Sequence, residues 1–169
     1  MTILSPLLDR MTTRATAAAA SSLLLGLFAS ACAVPATGPS IPDTATIGAS
    51  LQLCSDEINR YRASAGLPAL SRSASLEQFA ADAAQHDTAA GVPHALFRQT
   101  NGGGVAMAET ELLLWSNRAV QDVIKLGLSE MWNQGPAGEH YSILAGPYTQ
   151  VGCGVFVSGG VVSVTQDYK

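Results

Sequence analysis

Apolar residues recur at intervals of three and four in three segments of the chain, a spacing typical of helices that bury one face. It predicts helices over residues 47–65, over residues 76–89 and up to residue 132. The third pattern is the clearest, with Ser116 or Asn117 expected as its N-cap. Its apolar face is made of Val120, Val123, Ile124, Leu128, Met131 and Trp132.

The C-terminal part of the chain changes to a period of two. Apolar residues alternate over residues 151–157, and a second apolar run begins at Val161. Gly159 and Gly160 separate the two runs, and a glycine pair favours a tight hairpin turn because both residues can adopt positive φ. The pattern predicts an α+β fold, in which helices pack on a small antiparallel sheet.

The balance of charge excludes some partners. The chain has 13 acidic and 9 basic residues, a formal net charge of −4, and no cluster of lysine or arginine. Binding to nucleic acid or to an anionic lipid surface relies on such a cluster. The sequence therefore predicts no nucleic-acid partner.

The N-terminal segment has the features of a targeting sequence. An apolar run over residues 17–28 follows Arg14 and ends in small residues, which is typical of a signal peptide and too short for a spanning helix. We expect a signal peptide at residues 1–31, with Met11 as an alternative start. Cys32 follows three small residues, as in the box where bacterial lipoproteins are acylated. The protein is therefore predicted to be an envelope lipoprotein anchored through Cys32 or, alternatively, to be secreted.

The remaining chain divides into a tether and a domain. Residues 32–46 are rich in proline, alanine, threonine and serine, which predicts a tether, and the folded domain is expected at residues 47–169. Cys54 and Cys153 both fall at positions expected to face the core. In an oxidising compartment they form either a disulfide or a pair of buried free thiols.

Three side chains at the ends of predicted elements are candidates for one site. His94 follows the second helix, Glu109 follows a glycine-rich loop, and His140 precedes the hairpin. Two imidazoles and a carboxylate are suitable zinc ligands, and three protein ligands leave one coordination position open. Their spacing matches no compact metal motif, so the alternative is three separate polar surface residues.

Several blocks of sequence, in order, resemble the CAP superfamily, which includes cysteine-rich secretory proteins, insect antigen 5, plant pathogenesis-related 1 proteins and bacterial SCP-like domains. The resemblance covers residues 48–168. Both residues that flank Glu109 differ from the family's Gly-Glu-Asn motif. The blocks are residues 58–62 and 66–70, the alanine-rich residues 76–94, Ala108-Glu109-Thr110, residues 132–141 and residues 148–154.

The resemblance implies an α-β-α sandwich whose cleft holds two histidines and two acids. His94, Glu109 and His140 match three of these positions. At the fourth this chain has the neutral Gln134, and Glu130 in the preceding turn is the alternative. Some members bind a divalent metal, so the implied cofactor is a metal such as zinc on His94, His140 and Glu109. The loss of one carboxylate weakens such a site.

The implied function is an extracytoplasmic binding or interaction module, a monomer whose polar cleft takes an unidentified ligand such as a lipid, a sterol or an envelope component. The absent acid favours binding over catalysis. Two alternatives stay open. One is a zinc-assisted hydrolase that uses His94, Glu109 and His140. The other is a structural envelope lipoprotein whose cleft groups only satisfy one another.

Overall fold

A computed structural model gives the structure of residues 44–169. The predicted signal peptide at residues 1–31, the acylation site Cys32 and the predicted tether up to residue 43 lie outside the described residues. None of the described helices combines the length and the apolar character that crossing a membrane requires.

Five α-helices and four strands follow one another along the described chain. The helices are α1 (Thr44–Ser64), α2 (Ala74–Ala90), α3 (Ala95–Thr100), α4 (Val120–Trp132) and α5 (Glu139–Leu144). The strands are β1 (Ser71–Arg72), β2 (Ala108–Ser116), β3 (Gln150–Ser158) and β4 (Val161–Tyr168). A 3-10 turn, Gly102–Gly104, lies between α3 and β2.

The predicted helices and hairpin are confirmed, with different helix starts. Helix α1 begins at Thr44, three residues before the predicted position. Helix α4 begins at Val120 with Ala119 as N-cap, so the expected N-cap at Ser116 or Asn117 is wrong. Ser116 instead pairs with Val161 as the last residue of β2, and the Asn117 N–H donates to the Gly160 carbonyl. These polar residues complete a strand and not a helix.

One four-stranded sheet forms the middle layer, in the order β1-β3-β4-β2. Strands β3 and β4 make the predicted hairpin, and Gly159 and Gly160 at its turn have φ of 58° and 80°. Strand β2 adds to β4 in antiparallel direction, whereas the two-residue β1 runs parallel to β3. The sheet is therefore mixed, with an antiparallel majority.

Helices cover both faces of the sheet, which confirms the α-β-α sandwich. Helix α2 lies so close to β3 that a Cβ on Gly154 would be 2.1 Å from the backbone carbonyl carbon of Ala80. The alternate residues of β3 point to the opposite face, where they pack against α1, while α4 covers β2 and β4 on that face. There Cys153 forms a disulfide with Cys54 of α1, so the disulfide alternative is confirmed.

Candidate functional site

His94 is held in place by the end of α2. Gly91 caps that helix in the left-handed conformation, and after Pro93 the chain places His94 at φ 57°, also left-handed. A non-glycine residue keeps such a backbone only where its surroundings hold it. Here the His94 N–H donates to Glu111 Oε2 at 2.9 Å, and the ring Nδ1 lies 2.8 Å from Glu109 Oε1.

Two acids reach this histidine from β2. Glu109 and Glu111 are two residues apart in a strand, so their side chains lie on the same face of the sheet. In the register of the sheet Glu109 pairs with Asp167 of β4, and Glu111 pairs with Thr165. This is the face that α2 covers. The strand pairing thus adds Asp167 to the neighbourhood of His94.

Helix α2 contributes one more acid, Asp87. Its Oδ1 accepts a hydrogen bond from the Leu96 N–H at 2.9 Å and lies 2.8 Å from the His86 ring Nδ1. Asp87 and Asp167 are fully buried, and Glu109 and Glu111 are nearly so. Four carboxyl groups, one of them from α2 itself, are therefore buried between α2 and the sheet. Buried carboxylates are normally paired with a positive charge or a hydrogen-bond donor.

Several of these oxygen atoms face no N–H or hydroxyl donor among the described residues, although Asp167 is close enough to Glu109 to share a proton with it. They are Asp87 Oδ2, Glu109 Oε2, Asp167 Oδ1 and Asp167 Oδ2. A buried oxygen without a hydrogen bond costs free energy, and an ionised one costs more. With all its carboxyl groups ionised, the cluster would therefore be short of positive charge or of donors, and a proton on Asp167 relieves part of this shortage.

The surroundings raise the pKa of three groups in the cluster. Burial raises the pKa of the Glu111 carboxyl to about 7, although the His94 N–H opposes this. Burial, and next the neighbouring Glu109, raise the pKa of Asp167 to about 9. The hydrogen bond that the ring donates to the Glu109 carboxylate raises the pKa of the His94 imidazole, and burial works against it. A nearby cation would lower the pKa of Glu111 and that of Asp167.

A set of metal-competent atoms lies at the mouth of this cluster. One ligand atom from each of His94, Glu109 and Glu111 can be chosen so that all lie within 4.8 Å of one another. His94 and Glu109 also line a cleft of about 290 Å³. Its other lining residues are Phe97, Arg98, Ala108, Glu139 and Ile143.

The structure brings together only part of the residue set chosen from sequence. His94 and Glu109 meet as expected. The partner of His140 is Gln134, whose Nε2 lies 2.7 Å from the His140 Nδ1, and neither belongs to the metal-competent set. Glu139, next to His140 in α5, lines the cleft, whereas Glu130 is exposed on α4. The assignment of a metal to His140 stays a prediction.

Three acids of the cluster were not predicted as site residues. The alternation Glu109-Thr110-Glu111 places both glutamates on one face of a strand, and this signal could have identified Glu111. Asp167 and Asp87 carry no comparable local signal. They join the site only through strand register and helix packing.

Comparisons with known proteins agree with this architecture. A model of the CAP family, described as the cysteine-rich secretory protein family, matches residues 55–168. No curated protein matches the chain with significance.

Solved bacterial structures share the fold at low sequence identity. A cysteine-rich secretory protein from Staphylococcus aureus is 18% identical with a TM-score of 0.52, and the match covers 77% of this chain and 42% of that one. An outer surface protein from Borrelia burgdorferi is 16% identical with a TM-score of 0.54, covering 71% and 91%. An extracellular protein with an SCP domain from Bacillus anthracis is 19% identical with a TM-score of 0.51, covering 79% and 45%. The chain thus spans less than half the length of two of these proteins.

Proposed function

This chain belongs to the CAP family of cysteine-rich secretory proteins, and from that premise we propose that it is an extracytoplasmic binding module whose cleft takes a divalent cation. The cation ligands are His94, Glu109 and Glu111. The bound ion and the cleft beside it then hold an anionic or polar group of a larger ligand.

The convergence of the three side chains carries this proposal. Their ligand atoms lie within 4.8 Å of one another, and Glu109 keeps a buried oxygen that faces no N–H or hydroxyl donor among the described residues. Imidazole and carboxylate groups suit zinc and similar first-row ions. A cation of charge +2 also offsets the buried carboxyl groups of Asp87 and Asp167. The residues present therefore fit such an ion.

The cleft wall supports a ligand with both polar and apolar parts. Arg98 and Glu139 offer one charge of each sign, while Phe97 and Ile143 are apolar and half-buried. An envelope component, a lipid or a sterol with a polar head would use both kinds of surface. When bound, the cation supplies a positive centre for ligand oxygens.

The disulfide and the character of the relatives support work outside the cytoplasm. The bond between Cys54 and Cys153 requires an oxidising compartment to persist. The relatives from Borrelia burgdorferi and Bacillus anthracis are an outer surface protein and an extracellular protein. We propose that the domain works as a monomer in the bacterial envelope, anchored through Cys32, with secretion as the alternative.

A metal-assisted hydrolase is the second candidate. Three protein ligands beside a cleft of about 290 Å³ leave coordination positions for water and substrate, as catalytic zinc sites do. In this version His94 and Glu111 would hold the metal, and Glu109 would be either the third ligand or the general base.

One set of measurements distinguishes the cation-binding module from the metal-assisted hydrolase. The domain, stripped of metal with EDTA, is titrated with Zn²⁺ while its thermal unfolding is followed, and we expect the Tm to rise with zinc. Glu109→Gln should lose this response, whereas Glu130→Gln, an exposed acid outside the site, should keep it. Ester and peptide hydrolysis that appears with zinc and disappears in Glu109→Gln would favour the hydrolase. No zinc response in the wild type would overturn the cation proposal and favour a structural envelope protein.

A further inference from the structure

A second cavity lies away from the cation cleft, at the end of α1. Its volume is about 490 Å³, which is within the usual range for small-molecule sites. Leu67, Pro68 and Ala69, which follow α1, form one side, and the loop over residues 145–149 forms the other. Arg62 from the last turn of α1 also lines it.

Arg62 is a buried cation, only 1% exposed. Its Nε donates to the Pro68 carbonyl at 2.9 Å, and its Nη1 donates to the carbonyls of Leu144 and Gly146 at 2.8 and 2.9 Å. All three acceptors are neutral. Within the described chain no carboxylate pairs with Arg62, in contrast to the exposed Arg60 and Arg72, which pair with Glu57 and Glu77.

This arrangement leaves the positive charge of Arg62 without a counter-charge and one of its N–H groups without an acceptor. Carbonyl oxygens satisfy hydrogen bonds but do not cancel the charge of a guanidinium, and burial lowers the pKa of Arg62 for that reason. The Nη2 group has no hydrogen-bond partner in the described part of the chain. An anion in the cavity would supply both a counter-charge and an acceptor.

The other lining residues specify the rest of the ligand. Pro68, Pro147 and Tyr148 offer flat apolar surfaces, and Thr149 adds a hydroxyl. A planar hydrocarbon body would bury apolar area against the prolines and stack on the tyrosine ring.

We propose that this cavity binds a small organic anion, a carboxylate on a flat apolar body, with Arg62 as its charge partner. The proposal is independent of the cation cleft, because none of the residues that line this cavity lines that one. The three hydrogen bonds from Arg62 to carbonyl groups also hold the loops after α1 and α5. A substitution of Arg62 itself would therefore change folding as well as binding, and the two effects could not be separated.

The test leaves Arg62 intact and varies the ligand charge. Phenylacetate, the neutral phenylacetamide and the cationic phenethylamine are titrated into the domain by calorimetry. We expect phenylacetate to bind at least about tenfold more tightly than the amide, and the amine to bind least. Equal affinity for the acid and the amide, or no binding of phenylacetate up to about 10 mM, would overturn the proposal.

Amino-acid substitutions in the cavity wall test whether phenylacetate binds beside Arg62. Ala145→Phe places a ring at the cavity wall and removes none of the three carbonyl acceptors of Arg62, and it should weaken phenylacetate by at least about tenfold. Ala69→Trp at the exposed rim gives a second blocked form if Ala145→Phe melts well below the wild type. Ala49→Phe, exposed on α1 outside the cavity, should bind as the wild type does. Undiminished binding in both blocked variants would refute the assignment.

Discussion

The two faces of the central sheet are built in opposite ways. The face under α1 and α4 carries Val151, Val162 and Val164 and is closed by the disulfide of Cys153. The face under α2 carries glycine in β3, and hydroxyl and carboxyl groups in β2 and β4. Because side chains alternate along each strand, one sheet serves both purposes. The apolar face supplies stability, and the polar face supplies the candidate chemistry.

Removal of the disulfide should have the largest effect on stability, and it tests whether the apolar face holds the fold. Cys54 and Cys153 are 99 residues apart in sequence, so their bond closes a long loop. The double variant Cys54→Ser/Cys153→Ser should lose about 2–5 kcal/mol of unfolding free energy in urea. Wild type in reducing agent serves as control and should lose a similar amount. An unchanged urea midpoint would show that this face does not depend on the bond.

A substitution in the glycine-lined contact between β3 and α2 should have the second-largest effect on stability. A Cβ on Gly154 would lie 2.1 Å from backbone atoms of α2, which cannot rotate away as a side chain does. Gly154→Ala should therefore cost about 1–3 kcal/mol or more and push α2 from the sheet. Gly48→Ala is the matched control, because its Cβ would meet nothing within 4 Å, and it should be neutral or stabilise by up to about 1 kcal/mol in its helix. If both variants behave alike in urea unfolding, the close contact is not a constraint.

A dependence on pH should distinguish the polar face. The pKa of Asp167 is raised from 3.8 to about 9 and that of Glu111 from 4.5 to about 7. The raised pKa of His94 acts in the same direction. Between the unfolded and folded values the folded state binds more protons, so unfolding free energy falls as pH rises. Without metal, the Tm should therefore decrease from about pH 5 to about pH 9.

The variant Asp167→Asn should remove the largest part of this dependence of the Tm on pH. The amide resembles the protonated acid, so the variant should match the wild type near pH 5 and melt higher than it near about pH 9. Zinc should also flatten the profile, because a cation stabilises the ionised acids. A metal-free Tm that rises with pH across this range would show that the carboxyl groups are not buried together.

The sequence predicted the apolar face better than the polar one, for a physical reason. Helical and strand periods report burial directly, so the hairpin and the disulfide alternative could be anticipated from the positions of Cys54 and Cys153. The site depends on which strands are neighbours. Asp167 faces Glu109 only because β2 pairs with β4 in a particular register, and no local pattern specifies that. His140 was grouped with His94 and Glu109 from its position before the hairpin and again by resemblance, while its observed hydrogen-bond partner is Gln134.

The most direct test of the central claim is the zinc affinity of two single variants, measured by competition with a chelator. The claim is that Glu111, and not His140, completes the ligand set of His94 and Glu109. Glu111→Gln should weaken zinc by at least about tenfold, while His140→Ala should stay within about threefold of the wild type. The reverse result, with His140→Ala abolishing zinc binding and Glu111→Gln retaining it, would contradict the account.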